Sequence, residues 1–102
     1  MYVVLCNCPP DVAPSLARSI ITEKLAACVN AIPGVASTYL WEGKLCEDIE
    51  TTLLIKVSAS KVDALCDRVR VLHPYTTVEL LALPIDVAHS DSAYVNWVRQ
   101  TT

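Results

Sequence analysis

Two periods of apolar and polar residues alternate along the chain, and the switches between them mark its elements. Tyr2-Val3-Val4-Leu5-Cys6 is almost continuously apolar, the pattern of a central strand buried on both faces. Asn7-Cys8-Pro9-Pro10-Asp11 reads as a turn, with Asp11 placed to cap a helix and Pro14 inside the first turn, where proline is tolerated. Ala13, Leu16, Ala17, Ile20, Ile21 and Leu25 then recur at helical spacing, predicting a helix that fades near Ala27. Cys28 to Trp41 and Glu50 to Val57 are dense in β-formers, and Thr38 to Leu45 between them reads as the tip of a long hairpin turned at Glu42-Gly43. Pro33 cannot donate to a ladder, so the first arm belongs at a sheet edge or bends there through a bulge. Ser60 and Asp63 have capping-box spacing, and Val62, Leu65, Cys66, Val69 and Leu72 form the stripe of a second helix that His73-Pro74 stops. Val78 to Ile85 predicts a fourth strand, and Ser92 to Gln100 a last short helix.

The resulting order, β-α-β-β-α-β plus a terminal helix, is the α+β ferredoxin-like arrangement, with residues 1–102 expected as a single domain. Right-handed crossovers place the first and third strands centrally and the proline-bearing second and fourth at the edges. Cys6, the segment from His73 to Val78 and the hairpin tip then fall at one end of the sheet. Arms of this length exceed what the helices of 102 residues cover, and an exposed edge bearing Leu40 and Trp41 invites pairing. The hairpin is therefore expected to be an assembly device, making a homo-oligomer.

Composition sharpens that expectation. Apolar residues reach 53% and charged residues only 19%, against about 25% charged in an average domain, so a lone copy would carry sticky surface. The net charge of −3 argues against attraction to nucleic-acid phosphates. RNA-recognition domains share the topology but stack bases on central-strand aromatics, and here those strands offer Tyr2 alone. No apolar run is long enough for a membrane span or a secretory leader, and five cysteines is an odd number, so a reduced cytoplasmic protein is expected.

Candidate chemistry centres on Cys6 and His73, distant in sequence and neighbours in the expected topology. From spacing alone, Cys6 reads as a small buried hydrophobe and His73 as a helix stop. The chemical alternative is a thiolate–imidazole pair suited to copper or zinc, completed by further donors or a symmetry mate. A Cys-His nucleophile would need an oxyanion hole and an orienting group that no motif announces, so no enzyme is expected. Cys6-Asn7-Cys8 is a weak C-x-C signal, and the C-x-x-C loop of ferredoxin-like copper chaperones is missing. Glu42, Lys44, Lys56, Tyr75 and Glu79 are polar positions in or beside apolar strands. They read equally well as a solvated face or as a polar cleft between subunits that takes a small anion or a metal complex.

Several blocks carry a family resemblance: Leu25-Ala26-Ala27-Cys28-Val29-Asn30, Pro33-Gly34-Val35, Tyr39-Leu40-Trp41-Glu42-Gly43-Lys44, His73-Pro74-Tyr75 and Glu79-Leu80-Leu81-Ala82-Leu83-Pro84-Ile85. In this order they resemble the CutA family of divalent-cation tolerance proteins. The resemblance implies a cytoplasmic homotrimer paired through its hairpins, similar in architecture to PII-type signal proteins, with a role in tolerance of copper and other divalent ions. It implies copper ligands at Cys6 and His73, with Leu72 standing where some members carry a second histidine. Against the family pattern, the Cys8-Pro9-Pro10-Asp11 turn carries one extra residue. An intersubunit cleft is expected from Trp41, Glu42, Lys44, Tyr75 and Glu79. The alternative expectation is a PII-like signalling trimer holding an anionic metabolite in that cleft.

Overall fold

The computed structural model describes residues 1–102. Its elements run β1 (Tyr2–Cys8), α1 (Ala13–Thr22), β2 (Cys28–Trp41), β3 (Lys44–Val57), α2 (Val62–Leu72), β4 (Leu81–Pro84), a 3-10 turn (Val87–His89) and α3 (Ser92–Thr101). The four strands form one antiparallel sheet in the order β2-β3-β1-β4. This is the ferredoxin-like arrangement expected from the pattern, with the two proline-bearing strands at the edges.

Alternation along the central strands decides what faces the helices. Val4, Cys6 and Cys8 of β1 and Leu53, Ile55 and Val57 of β3 are fully buried, and they pack with Ala13, Leu16 and Ile20 of α1 and Leu65 and Val69 of α2. Val3, Leu5 and Asn7 point to the opposite face, opposite Lys56, Leu54 and Thr52. There Val95 and Val98 of α3 are buried, and α3 packs against β3.

The helix ends differ from those expected of the sequence, each for a local reason. Asp11 does not cap α1. The cap position is Val12, and the Pro9 carbonyl accepts from the N–H groups of Val12 and Ala13, so backbone closes the turn. The helix stops at Thr22, short of Ala27, in a Schellman motif: Lys24 takes φ 59°, Leu25 N–H donates to the Ile20 carbonyl and Lys24 N–H to that of Ile21. Lys61 stands at the cap of α2 without a side-chain bond, and Ser60 pairs with the Ser58 hydroxyl, so the capping box does not form. Asp63 still sits in the first turn, where it complements the helix dipole. His73 is extended and ends α2, as the following proline requires.

The fourth strand is half the expected length. Leu5 pairs with Leu81, and 78–80 leave the ladder beyond that point. The hairpin is as long as the pattern promised, 14 residues per arm. At about 3.3 Å per residue it accounts for the molecule's 45 Å long dimension. Trp41 pairs with Lys44 across a two-residue loop in which both Glu42 (φ 52°) and Gly43 (φ 77°) are left-handed, the requirement of a type I′ turn. Between Ile32 and Val35, β2 advances three residues while β3 advances two, so Pro33-Gly34 forms a bulge.

Beyond that bulge the hairpin overhangs. The pairing of β1 with β3 ends at Cys8 and Thr51, so Lys44 to Glu50 have no partner on that side, and no helix lies beneath them. Leu40, Leu45 and Ile49 on the helix side of the overhang are 60–72% exposed. Tyr39, Trp41, Cys46 and Glu50 fall on the other side.

Candidate functional site

A cleft of about 410 Å³ opens where the overhang leaves the body of the sheet. One wall belongs to the hairpin, with Tyr39 and Trp41 from β2 and Cys46 and Glu50 from β3. Strand alternation, shifted by the bulge, puts these four on one face. The other wall belongs to the body: Asn7 at the end of β1, and Tyr75, Thr77, Val78 and Glu79 from the segment that leads into β4.

His73 holds that segment in place. Its Nε2 lies 2.8 Å from the Asn7 carbonyl, and its Nδ1 accepts from the Tyr75 N–H at 3.1 Å, so the proton sits on Nε2 and is donated to Asn7. The Tyr75 ring packs on the imidazole with centroids 4.7 Å apart. A buried histidine (6% exposed) thus supplies the cross-link that the ladder lacks between β1 and 74–80.

The electrostatics of the cleft are one-sided. Glu50 and Glu79 line it, and no lysine, arginine or histidine does. Glu50 is only 8% exposed, and its hydrogen bond is from the Tyr75 hydroxyl at 3.3 Å. The three ion pairs of the fold, Arg68–Glu23, Arg70–Asp67 and His89–Asp86, lie elsewhere. Burial, together with the Glu50 charge and hydrogen bond, raises the pKa of Tyr75. Tyr39 donates to Asp48, and that bond pushes its pKa up to about 12.

Cys6 lies on the opposite side of β1, among the core residues, with no exposure. Burial first, then the neighbouring Cys8, pushes its thiol up to about 12. No three His, Cys, Asp or Glu side chains converge on one point. Of the residues singled out in the sequence, Trp41, Tyr75 and Glu79 meet in the cleft, while Glu42 and Lys44 stay at the hairpin tip. Glu50, Cys46, Tyr39 and Asn7 were not anticipated. Their shared face was readable only from the strand register and the bulge.

The antiparallel β2-β3-β1-β4 sheet with its long hairpin is a fold this chain shares with a protein described as PII-like. The PII-like protein CutA from Nostoc sp. PCC 7120 superposes with a TM-score of 0.97 at 36% identity, over 100% of this chain and 97% of that one. The description "CutA1 divalent ion tolerance protein" fits residues 2–101. The divalent-cation tolerance protein CutA of Thermus thermophilus is 44% identical over 101 residues, 98% of this chain and 96% of that protein. The human protein CutA is 46% identical over 97 residues, 94% of this chain, which spans about half (53%) of the human protein. The chain belongs to the CutA1 divalent ion tolerance family.

Proposed function

We propose that this chain is a cytoplasmic homotrimeric protein of divalent-cation tolerance, and that its cation, copper foremost, is drawn to the cleft at the root of the hairpin. The observation that carries this reading is Glu50, a carboxylate nine-tenths buried in a cleft wall with no cationic partner. A desolvated charge without a counter-charge is costly, and a cation bound beside it removes that cost. The same lining opposes the small anion that a PII-type comparison suggests. Trimer formation is supported by the open edges of β2 and β4, the unpaired stretch of β3 and the bare apolar face of the overhang.

Cys6 and His73, which do not line the cleft, are the alternative site proposed for copper, and their bonding states what binding there must change. The Cys6 thiol must lose its proton, and His73 Nε2 must let go of the Asn7 carbonyl. A further donor comes from Cys8 or a neighbouring subunit. A non-catalytic role is part of the proposal: a thiol held near 12 and an imidazole bonded to backbone through both nitrogens are a poor nucleophile and base.

Calorimetric titration of the reduced protein with zinc and with buffered copper tests this, beside the double variants Glu50→Gln/Glu79→Gln and Cys6→Ser/His73→Ala. Loss in the first variant assigns the ion to the cleft, and loss in the second assigns it to the pair behind Asn7. Equal binding in all three removes both sites.

A further inference from the structure

The cleft is built for more than a bare ion. Its volume of about 410 Å³ suits a ligand of several heavy atoms, and no three metal-ligating side chains converge in it. Aromatic rings stand on both walls: Tyr39 and Trp41 on the hairpin, Tyr75 on the body. All three are 41–51% exposed in the single chain. Between these rings lies Glu50, whose single hydrogen bond within the protein is from the neutral Tyr75 hydroxyl and occupies Oε2. Its Oε1 has no protein donor, and no polar atom of the side chain is sealed away unsatisfied, so that oxygen faces the cleft.

These features discriminate among classes of ligand. An anion meets two carboxylates and no basic group. A neutral apolar ligand would cover Glu50 and leave its charge further desolvated. An inorganic divalent ion is best held by several convergent oxygen, nitrogen or sulfur donors, and it gains little from three rings. A carbon-bearing ammonium ion uses everything present: its charge is attracted to the faces of tryptophan and tyrosine, its carbon surface packs on them, and its positive charge neutralises the buried carboxylate.

From this we infer that the cleft binds a small organic ammonium ion, an amine protonated or methylated at nitrogen, which packs on Trp41, Tyr39 and Tyr75 with its charge against Glu50 and Glu79. The inference rests on the reading of the cleft as a cation site and names a class of cation that the metal reading does not include. Thr77, on the body wall, offers a hydroxyl acceptor for the N–H groups of a primary or secondary amine, while the Asn7 Oδ1 beside it already accepts from the Thr52 hydroxyl.

The probe is tetramethylammonium chloride, which has charge and carbon surface but no N–H. The assembled protein carrying Trp97→Phe is used, because Trp97 lies on α3 outside the cleft and its removal leaves Trp41 as the sole indole. A saturable change in Trp41 fluorescence is expected with tetramethylammonium, and none with potassium chloride at equal ionic strength or with neopentyl alcohol, a neutral analogue of similar branched carbon surface. Glu50→Gln is expected to weaken binding about tenfold or more, and Glu79→Gln, at an exposed position, by a smaller factor. If Glu50→Gln does not fold, Glu79→Gln alone carries the charge test. No response to tetramethylammonium, an equal response to neopentyl alcohol, or unchanged affinity in the charge variants overturns the inference. Zinc titration of the same sample separates the two readings. Zinc bound in the cleft without tetramethylammonium overturns the ammonium site alone, and absence of both overturns the cation cleft itself.

Discussion

Cys6 and Cys8 alternate onto the core face of β1 with no exposure, while Cys28, Cys46 and Cys66 are partly open. Burial pushes the first two thiols up from 9.0, Cys6 to about 12 and Cys8 to about 11. Because the folded values lie above the unfolded one, the stability they contribute is fully present below about 9. It is lost as pH rises through 11 to 12, where the unfolded chain ionises first. Denaturant midpoints are therefore expected to fall between pH 8 and pH 10.5, and the fall to be shallower in Cys6→Ala. A slope unchanged by that substitution would show the thiol to be energetically idle. Lys24 and Glu42 are the two non-glycine residues with positive φ, at the end of α1 and in the hairpin turn. Lys24→Gly and Glu42→Gly should each raise stability by about 1 kcal/mol, less the entropy glycine adds to the unfolded chain, and thermal midpoints measure it.

At the scale of elements, the His73 bracket explains why β4 is short. Removing it in His73→Ala deprives the Asn7 carbonyl and the Tyr75 N–H of their partners together, with an expected cost of about 1–3 kcal/mol. Amide exchange should then accelerate in 74–80 before it does so in β1. Protection unchanged across that segment would count against the bracket. How far the sequence foretold these elements depends on the range of the forces that set them. Strand and helix identities follow from apolar periods inside each segment, and the turn at Glu42-Gly43 and the stop at His73-Pro74 follow from single-residue backbone rules. The start and end of α1 did not, because Pro9 and Lys24 satisfy the helix ends through backbone carbonyls rather than a recognisable cap. Val78 to Leu80 read as strand because they open an apolar run broken only by Glu79, and the long-range bond from His73 to Asn7 explains their departure. The candidate site was half legible for the same reason. Trp41, Tyr75 and Glu79 stand out as polar or aromatic positions in apolar runs, but Glu50 gains its meaning only from the side of β3 that the register gives it.

For the whole molecule, the radius of gyration of 14.3 Å exceeds the value of about 13 Å for a compact chain of this length, and the overhang is the cause. If neighbours cover its apolar face, light scattering at micromolar concentration should return three times the 11.1 kDa chain mass, with a thermal midpoint that rises with protein concentration. Leu45→Glu, at a position 67% exposed in the single chain, is expected to lower both the mass and that dependence. A monomer mass for the unaltered chain would remove the trimer. The bulge at Pro33-Gly34 has a mechanical consequence besides. It lies at the junction between the part of the hairpin braced by β1 and the part that β1 does not brace, so a bend there would turn the overhang as a lever. Seven residues at about 3.4 Å give an arm of roughly 24 Å, and a bend of about ten degrees would swing the tip by roughly 4 Å. One jaw of the cleft rides on that arm and the other is bolted to the body, so its gape is governed from a pivot that lines neither jaw.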